Sequence, residues 1–319
     1  MKDLVKEASE SLFSGSLDDH FEWFNHALTL TKLSPLFRFS KDSLSSHARE
    51  MAAAIRRSQQ QMKQPPFFPA DRREKQSSSS SFSSLCLSEM CFIACRWIWV
   101  PAQQQLGGCV WMVFEFTQAD EDIKRNENVF SVTRAQGSSY ACFLVSLNDE
   151  PKGKWGDFPL LISRVPGDLL HIVITYLTTR FDTWAAPFRL STETLAHLLQ
   201  IYILSVVPAS EEAAKPLELT FSTKGIKGLK RITVGIRGQD AQVWKERESG
   251  FFEGLKKHLE CQTAIDFNQL ELCRIGCGGF IAAAEGKLKI LKPIQQQVIS
   301  EILKIEVNKG NMEIMAGAN

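Results

Sequence analysis

The sequence lacks the long apolar runs and the charge imbalance that mark membrane proteins and strongly nucleic-acid-binding chains. No segment approaches the roughly 18 consecutive apolar residues that a membrane-spanning helix needs. The first residues, MKDLVKEASESL, carry charges where a secretory signal would have an apolar core. The chain has 319 residues, a hydrophobic content of 44% and a formal net charge of +1. These values predict a soluble intracellular protein with a sizeable core, and they argue against DNA binding by bulk charge alone.

The eight cysteines do not have the spacing of a zinc site. Both close pairs, Cys91–Cys95 and Cys273–Cys277, are separated by three residues, whereas zinc knuckles place two residues between their ligands. The chain is also long and has no secretory signal, so it does not need disulfides for its stability. We therefore expect reduced thiols, no metal and no cofactor.

Catalytic signatures are equally scarce. The run Gly276–Gly279 could cradle a phosphate only if a helix followed it, but the next residues, FIAAAEGKLKI, predict a β-hairpin with a two-residue turn at Glu285-Gly286. A nucleophile elbow, an HExxH motif, a paired carboxylate and a Walker loop are all missing. We predict that the chain is not an enzyme. An unrecognised thiol or histidine site is kept as a third hypothesis.

The segment from Arg164 to Ser191 is the most informative stretch that is present. Pro166 suits the first turn of a helix, and Leu170, Leu177 and Phe181 belong to one apolar helical face. Ser191 is a suitable N-cap for a second helix. The segment predicts a helix pair that serves architecture, because its residues fit helix starts, packing and helix ends.

A basic stretch in the last third of the chain allows two interpretations. Four cations lie within eight residues at a turn and strand start: Lys224, Lys227, Lys230 and Arg231. They could contact phosphates in a salt-dependent way. They could equally protect the solvated edge of a sheet. Both interpretations stay open from the sequence.

Three blocks of sequence resemble the fungal form of the CENP-L family of inner-kinetochore subunits. The first comprises LSPL at 33–36 and LSSHAR at 44–49. The second is RVP at 164–166, YLTTRFDT at 176–183 and PFRLS at 187–191. The third is RIGCGGF at 274–280 and EGKLKI at 285–290. The blocks follow the family's order over most of the chain.

The resemblance implies a non-enzymatic scaffold of the constitutive centromere-associated network, located at the centromere in the nucleus. It implies an α+β fold with curved antiparallel sheets, distantly like the TATA-binding protein. It also implies a heterodimer with CENP-N through the C-terminal β region, and a pair that helps to hold the CENP-A nucleosome and centromeric DNA. A homodimer of the isolated chain and a stand-alone nucleic-acid-binding module remain open.

The resemblance and the sequence pattern together suggest interface residues and domain bounds. The candidate interface residues are Leu270, Leu272, Arg274, Phe280, Leu288 and Ile290, and we expect half of them to be core because strands alternate faces. We expect a flexible tail at 1–20 and an N-terminal α+β domain at 21–165, with a disordered Gln/Ser-rich insertion at 59–84. A helix pair and a C-terminal α+β dimerisation domain follow at 166–292, and a helix and tail at 293–319.

Overall fold

The chain folds into two compact units in a computed structural model. The structure describes residues 26–63, 87, 90–101, 107–118, 137–146, 155–205, 216–223, 229–237, 240, 251–291, 298–302 and 304. The central unit comprises residues 31–186, and the flanking unit comprises residues 1–30 and 187–319. None of the described helices is long and apolar enough to cross a membrane.

The central unit is built on an antiparallel sheet in the order β7-β5-β4-β3. These strands are Leu160–Arg164 (β7), Gly137–Val145 (β5), Cys109–Gln118 (β4) and Met90–Val100 (β3). Residues 31–33 of β1 (Ala27–Leu33) lie beside β7, where the Leu33 N–H donates to the Pro159 carbonyl at 3.0 Å. Two short strands, Leu36–Phe37 (β2) and Trp155–Gly156 (β6), form a separate ladder, and Ala185–Pro187 (β8) pairs with β1.

Two helices pack in the central unit. Helix α1 spans Leu44–Lys63 after a short 3-10 turn. Helix α2 spans Gly167–Phe181 and is capped at its C-terminus by Asp182, whose φ is 48°. Their apolar faces join the inward side chains of β3, β4 and β5 in one core, which includes Met51, Ile55, Phe114, Phe116, Leu144, Leu177 and Phe181. Burial of these large side chains supplies the main stabilising contribution of the unit.

In its described residues, the flanking unit contains an antiparallel meander, two longer helices and a short helical stretch at 298–302. Its strands lie in the order β10-β9-β11-β12-β13-β1. Strands β11, β12 and β13 are thus neighbours in the sheet in the same order as in the sequence. The bounds are Leu217–Ser222 (β9), Arg231–Ile236 (β10), Glu271–Gly276 (β11), Phe280–Ala283 (β12) and Lys287–Ile290 (β13). The helices are Thr192–Ser205 (α3) and Phe251–Thr263 (α4).

The α+β class with antiparallel sheets is confirmed, and so is the helix pair of the segment 164–191. The likeness to the TATA-binding protein stays a prediction, as do the domain bounds. Helix α2 lies within the central unit and α3 within the flanking unit. The tail at 1–20 and residues 64–84 of the insertion lie outside the described residues. Residues 298–302 are helical, within the helix expected near the C-terminus.

Two local predictions differ from the structure. The insertion was expected to begin at Gln59, but α1 continues to Lys63, because the Gln59 amide is buried and donates to the carbonyls of Leu87 (3.1 Å) and Met90 (2.9 Å). The hairpin turn at Glu285-Gly286 has three residues, Ala284–Gly286, with Gly286 at φ 75°. A left-handed glycine is the usual last residue of a three-residue hairpin loop.

Candidate partner interface

The open edge of the flanking unit is strand β10. In the described part of the chain, β10 pairs only with β9, whereas β11, β12 and β13 each have a strand on both sides. Side chains of β10 are exposed or half-buried from Arg231 to Gly235, and only Ile236 is buried. An edge strand of this kind presents backbone donors and acceptors that a further strand can pair with.

The backbone groups that face the open edge can be assigned from the ladder. The Thr223 N–H donates to the Lys230 carbonyl at 3.2 Å, so this pair is hydrogen-bonded. Hydrogen-bonded and non-hydrogen-bonded pairs alternate along an antiparallel ladder. Residues 232, 234 and 236 therefore bond to β9, and Arg231, Thr233 and Gly235 direct their N–H and C=O groups outward.

A cavity lies beside this edge, between β10 and α4. It has a volume of about 360 Å³, and apolar side chains from both elements line it together with Asp240 and His258. The apolar lining comprises Val234, Ile236, Leu255 and Leu259. Side chains of a strand added to β10 could therefore enter a partly apolar recess as well as make backbone hydrogen bonds.

The six candidate interface residues divide between core and surface. Leu272, Phe280, Leu288 and Ile290 are buried in the flanking unit, at 0 to 1% exposure. Arg274 is exposed and Leu270 is half-buried. Strand alternation led us to expect half of the six in the core, whereas four are buried; Leu272 and Arg274, two residues apart, lie on opposite sides because the register of β11 against β9 shifts between them. Whether the two accessible residues meet a partner stays a prediction.

The basic turn is described only in part. Lys224 and Lys227 lie outside the described residues. Lys230 and Arg231 are both exposed, where they lead into β10. The Arg231 guanidinium lies 3.9 Å from the Glu285 carboxylate, a loose contact between two side chains that are about two-thirds exposed, so it neutralises Arg231 only weakly.

Sequence inspection missed Thr233 and Gly235 as interface candidates. The signal available was weak: two cations follow the first residue of LKRITVGI, and the exposed positions within β10 carry Arg, Thr and Gly. Cations at the start of a strand are typical of a protected edge. The pattern alone could not show that β10 has a single neighbour, since that depends on the order of strands in space.

The third block of family-like sequence packs against the end of the second within the flanking unit. The Leu190 N–H donates to the Ala284 carbonyl at 3.1 Å, and a Cβ added to Gly286 would lie 2.2 Å from the Phe188 carbonyl oxygen. The hairpin turn therefore fits closely against residues 188–190. This close approach gives a physical reason for a glycine at position 286.

The first and second blocks meet in the central unit around Ser34. The Ser34 N–H donates to the Trp184 carbonyl at 2.9 Å, and the Trp184 N–H donates to the Ser34 hydroxyl at 2.8 Å. The Thr183 hydroxyl donates to the Ser34 carbonyl at 2.6 Å. These bonds fix the chain as it leaves α2, so the two blocks serve the architecture of this unit.

Comparisons with known proteins identify the family of the chain. The sequence profile described as CENP-L, centromere protein L, matches residues 22–313. The chain belongs to the CENP-L family. Inner kinetochore subunit fta1 of Schizosaccharomyces pombe is 28% identical over 193 residues, which cover 60% of this chain and 67% of the fission yeast protein. Family membership gives the chain a structural role at the kinetochore and places it at the centromere of nuclear chromosomes.

Burial acts on the cysteine thiols of Cys95, Cys109 and Cys142 in this CENP-L chain. Burial raises the pKa of the Cys95 thiol to about 12, with a smaller opposing effect from Trp97, and burial raises the pKa of Cys109 to about 12. Burial also raises the pKa of Cys142. A nucleophilic cysteine needs the opposite shift. These three thiols therefore give no support to the third hypothesis, an enzyme that uses a cysteine.

Sequence inspection also missed a polar cluster between α1 and α2 of this CENP-L chain. The Tyr176 hydroxyl donates to a Glu50 carboxylate oxygen at 3.0 Å and lies 3.3 Å from His47 Nδ1. The Arg180 Nε donates to the same Glu50 oxygen at 2.9 Å. We assign the tautomer of His47 with its proton on Nδ1, because the Tyr176 hydroxyl donates its own proton to Glu50 and its oxygen then accepts from His47. His47 Nε2 is then a buried acceptor, and within the described residues it has no hydrogen-bond partner.

We expect this cluster to make the stability of the central unit depend on pH. Burial, with the Arg180 charge, lowers the pKa of His47 below 6.5, and the Glu50 charge opposes this only partly. Because the folded state binds the proton less tightly than the unfolded state, the stabilisation is complete above pH 6.5 and is lost as the pH falls below it. Urea denaturation of wild type and His47→Phe at several pH values measures the effect.

The His47→Phe variant should lose the part of the pH dependence that lies just below pH 6.5. The Glu50 carboxyl titrates at a lower pH than this range. Burial raises its pKa, but the hydrogen bonds from Arg180 and Tyr176 outweigh that effect and lower it. The matched control is His171→Gln, which removes another imidazole from an exposed position of α2. A wild-type stability that stays constant between pH 7.5 and 5 would contradict the assignment of a buried neutral histidine.

Proposed function

We propose that this CENP-L chain forms a heterodimer with a CENP-N-type subunit by accepting a strand of that subunit on the open edge of β10. The observation that carries the proposal is the single-neighbour position of β10, with the backbone groups of Arg231, Thr233 and Gly235 directed outward. Strand addition gives affinity through main-chain hydrogen bonds and specificity through pockets for alternate side chains.

The surroundings of β10 support a protein partner on this edge. The recess between β10 and α4 offers Val234, Leu255 and Leu259 to the side chains of an added strand. Gly235 leaves open space, since a Cβ there would have no neighbour within 4 Å. Two members of the predicted interface are accessible: Arg274 lies in β11, and Leu270 directly precedes that strand. Strand β11 is two places from β10 in the sheet order. A partner that extends from β10 across the sheet could contact them.

The heterodimer is proposed to help anchor the kinetochore to the CENP-A nucleosome and centromeric DNA. The support in this chain is the basic stretch that leads into β10, where Lys230 and Arg231 are exposed. The alternative is a stand-alone nucleic-acid-binding module that uses the same stretch from Lys224 to Arg231. The near-neutral total charge, +1, does not favour the alternative.

We expect Thr233→Pro to abolish pairing with the CENP-N-type subunit. Proline removes the outward N–H of Thr233 and places its ring on the open edge, while the hydrogen bonds of residues 232 and 234 to β9 remain. Proline is tolerated on edge strands, so the variant should still fold. Size-exclusion chromatography with light scattering, applied to the co-expressed pair, measures the complex.

The matched control is Thr233→Ala, which removes the same side chain and keeps the N–H. It should pair as wild type does, and the melting temperatures of both variants check the fold. Co-elution of the partner with a folded Thr233→Pro chain would contradict pairing at β10. Failure of the wild-type chain to co-purify with any CENP-N-type subunit would contradict the heterodimer itself.

A further inference from the structure

The solvent face of α1 in the central unit carries arginines without opposite charges. Arg49, Arg56 and Arg57 are exposed, and within the described residues none of them forms an ion pair with a carboxylate. The helix sequence contains one acidic residue, Glu50. Its carboxylate is already occupied by Arg180 at 2.9 Å and by Tyr176 at 3.0 Å. The exposed face of α1 therefore carries a local concentration of positive charge, although the chain as a whole is nearly neutral.

The three arginine side chains lie along one side of the helix, and local contacts restrain each of them. Arg49 and Arg56 are seven residues apart, which is about 10 Å along the axis and about 20° around it. The Nε of Arg49 donates to the Ser45 carbonyl and that of Arg57 to the Ala53 carbonyl, both at 3.3 Å. The Arg56 guanidinium lies 5.4 Å from the centre of the Phe92 ring. These contacts restrain the stems and so reduce the entropy lost when a ligand binds.

The composition of this face favours a nucleic-acid backbone over an acidic protein. Between and around the arginines lie Ser45, Ala53 and Gln60. From Arg49 to Arg57, α1 itself exposes no large apolar or aromatic side chain, and the Phe92 ring beside Arg56 is half-buried. Protein interfaces place such side chains at their centre. Contact with a phosphate backbone needs only cations and hydrogen-bond donors, which arginine supplies in bidentate form. DNA is the polyanion present at the centromere, where the family places this chain.

We propose that the arginine face of α1, formed by Arg49, Arg56 and Arg57, binds the phosphate backbone of duplex DNA without reading its sequence. The inference deepens the proposed DNA-anchoring role and rests on it, but it uses a different unit of the chain from the basic stretch 224–231 and is independent of pairing at β10. Two basic surfaces on one chain could then contact DNA without a large net charge.

A salt titration of DNA binding tests the proposal. The full chain is titrated onto a fluorescent mixed-sequence DNA duplex, and anisotropy is recorded over a range of salt concentrations. We expect Arg49→Gln with Arg56→Gln to weaken binding at least tenfold near 0.1 M salt and to reduce the slope of log K against log salt by about 2. Glutamine removes the charge and has a helix propensity close to that of arginine, so melting temperature should change little.

The matched control is Arg189→Gln with Lys257→Gln, which removes two exposed cations from the flanking unit and the same total charge. This control should bind DNA within about twofold of wild type. An equal loss in the control would assign the effect to net charge and overturn the proposal. So would wild-type affinity in the α1 variant, or no binding of the wild-type chain at low salt.

Two further arms separate this inference from the alternatives. Poly-glutamate that competes as well as duplex DNA, charge for charge, would indicate an acidic protein as the occupant and would overturn the DNA assignment. The Thr233→Pro chain should keep its DNA binding. If Thr233→Pro loses partner pairing and keeps DNA binding, the result concerns β10. If the α1 variant loses DNA binding and keeps pairing, the result concerns the arginine face.

Discussion

Replacing Phe280 by alanine is expected to lower the free energy of unfolding of the isolated chain by about 3–5 kcal/mol. Phe280 is fully buried in β12, and its ring meets the Tyr202 ring of α3 edge-on at 6.1 Å. Truncation removes the transfer free energy of the ring and leaves a cavity, because neighbours in a packed sheet relax only partly. Urea denaturation without any partner measures this loss.

The same experiment separates core from interface among the six predicted residues. Arg274→Ala serves as the control, because Arg274 is exposed on the neighbouring strand β11 and its truncation should change stability by less than about 0.5 kcal/mol. If Arg274 meets the partner, its variant weakens the heterodimer while the isolated chain stays as stable as wild type. A Phe280→Ala chain with wild-type stability and lost pairing would contradict the placement of Phe280 in the core.

The elements that the sequence predicted well are those that depend on local periodicity. The pattern LELTFS predicts β9 with its observed bounds, and the apolar face from Leu170 to Phe181 predicts α2. Leu272, Phe280, Leu288 and Ile290 were chosen as apolar strand residues, and the same property puts them inside the sheet. A side chain that is apolar enough to suggest an interface is equally suited to the core, so the pattern could not separate the two.

The features that could not be predicted depend on contacts between distant parts of the chain. The open edge at β10 follows from β9 pairing with β11 across a long stretch of sequence that includes α4. The cluster of His47, Glu50, Tyr176 and Arg180 joins residues about 130 positions apart. That cluster also removes Glu50 as a counter-charge on α1, and this is why the arginine face emerged only from the structure.

The family-like blocks were recognisable because they contain hydrogen bonds and close backbone contacts that few residue types can make. Ser34 and Thr183 exchange hydrogen bonds in the central unit, and Gly286 approaches the Phe188 backbone in the flanking unit. The blocks contain no residue of β10, and of the arginine face they contain Arg49 alone. The resemblance therefore identifies the architecture, while the surfaces proposed to meet partner and DNA had to be found from strand order and exposed charge.

Replacing Gly286 by alanine is expected to destabilise the flanking unit by roughly 3 kcal/mol or more. Two costs act together. The φ of Gly286 is 75°, a left-handed conformation that costs any residue with a Cβ about 1–2 kcal/mol. The added Cβ would also lie 2.2 Å from the Phe188 carbonyl oxygen, which is backbone and cannot rotate away. The Gly286 carbonyl, which accepts from the Leu30 N–H at 2.8 Å, would have to shift with it.

The matched control is Gly235→Ala, made in the same sheet. A Cβ at Gly235 meets no atom within 4 Å, and Gly235 is not among the described residues with positive φ, so alanine there should be neutral or slightly stabilising. The two substitutions thus add the same methyl group at a position that forbids it and at a position that accepts it. A Gly286→Ala chain as stable as wild type would mean that the hairpin turn does not pack on residues 188–190. Because Gly235 faces the open edge, the control variant also shows whether partner pairing tolerates a side chain at that point of β10.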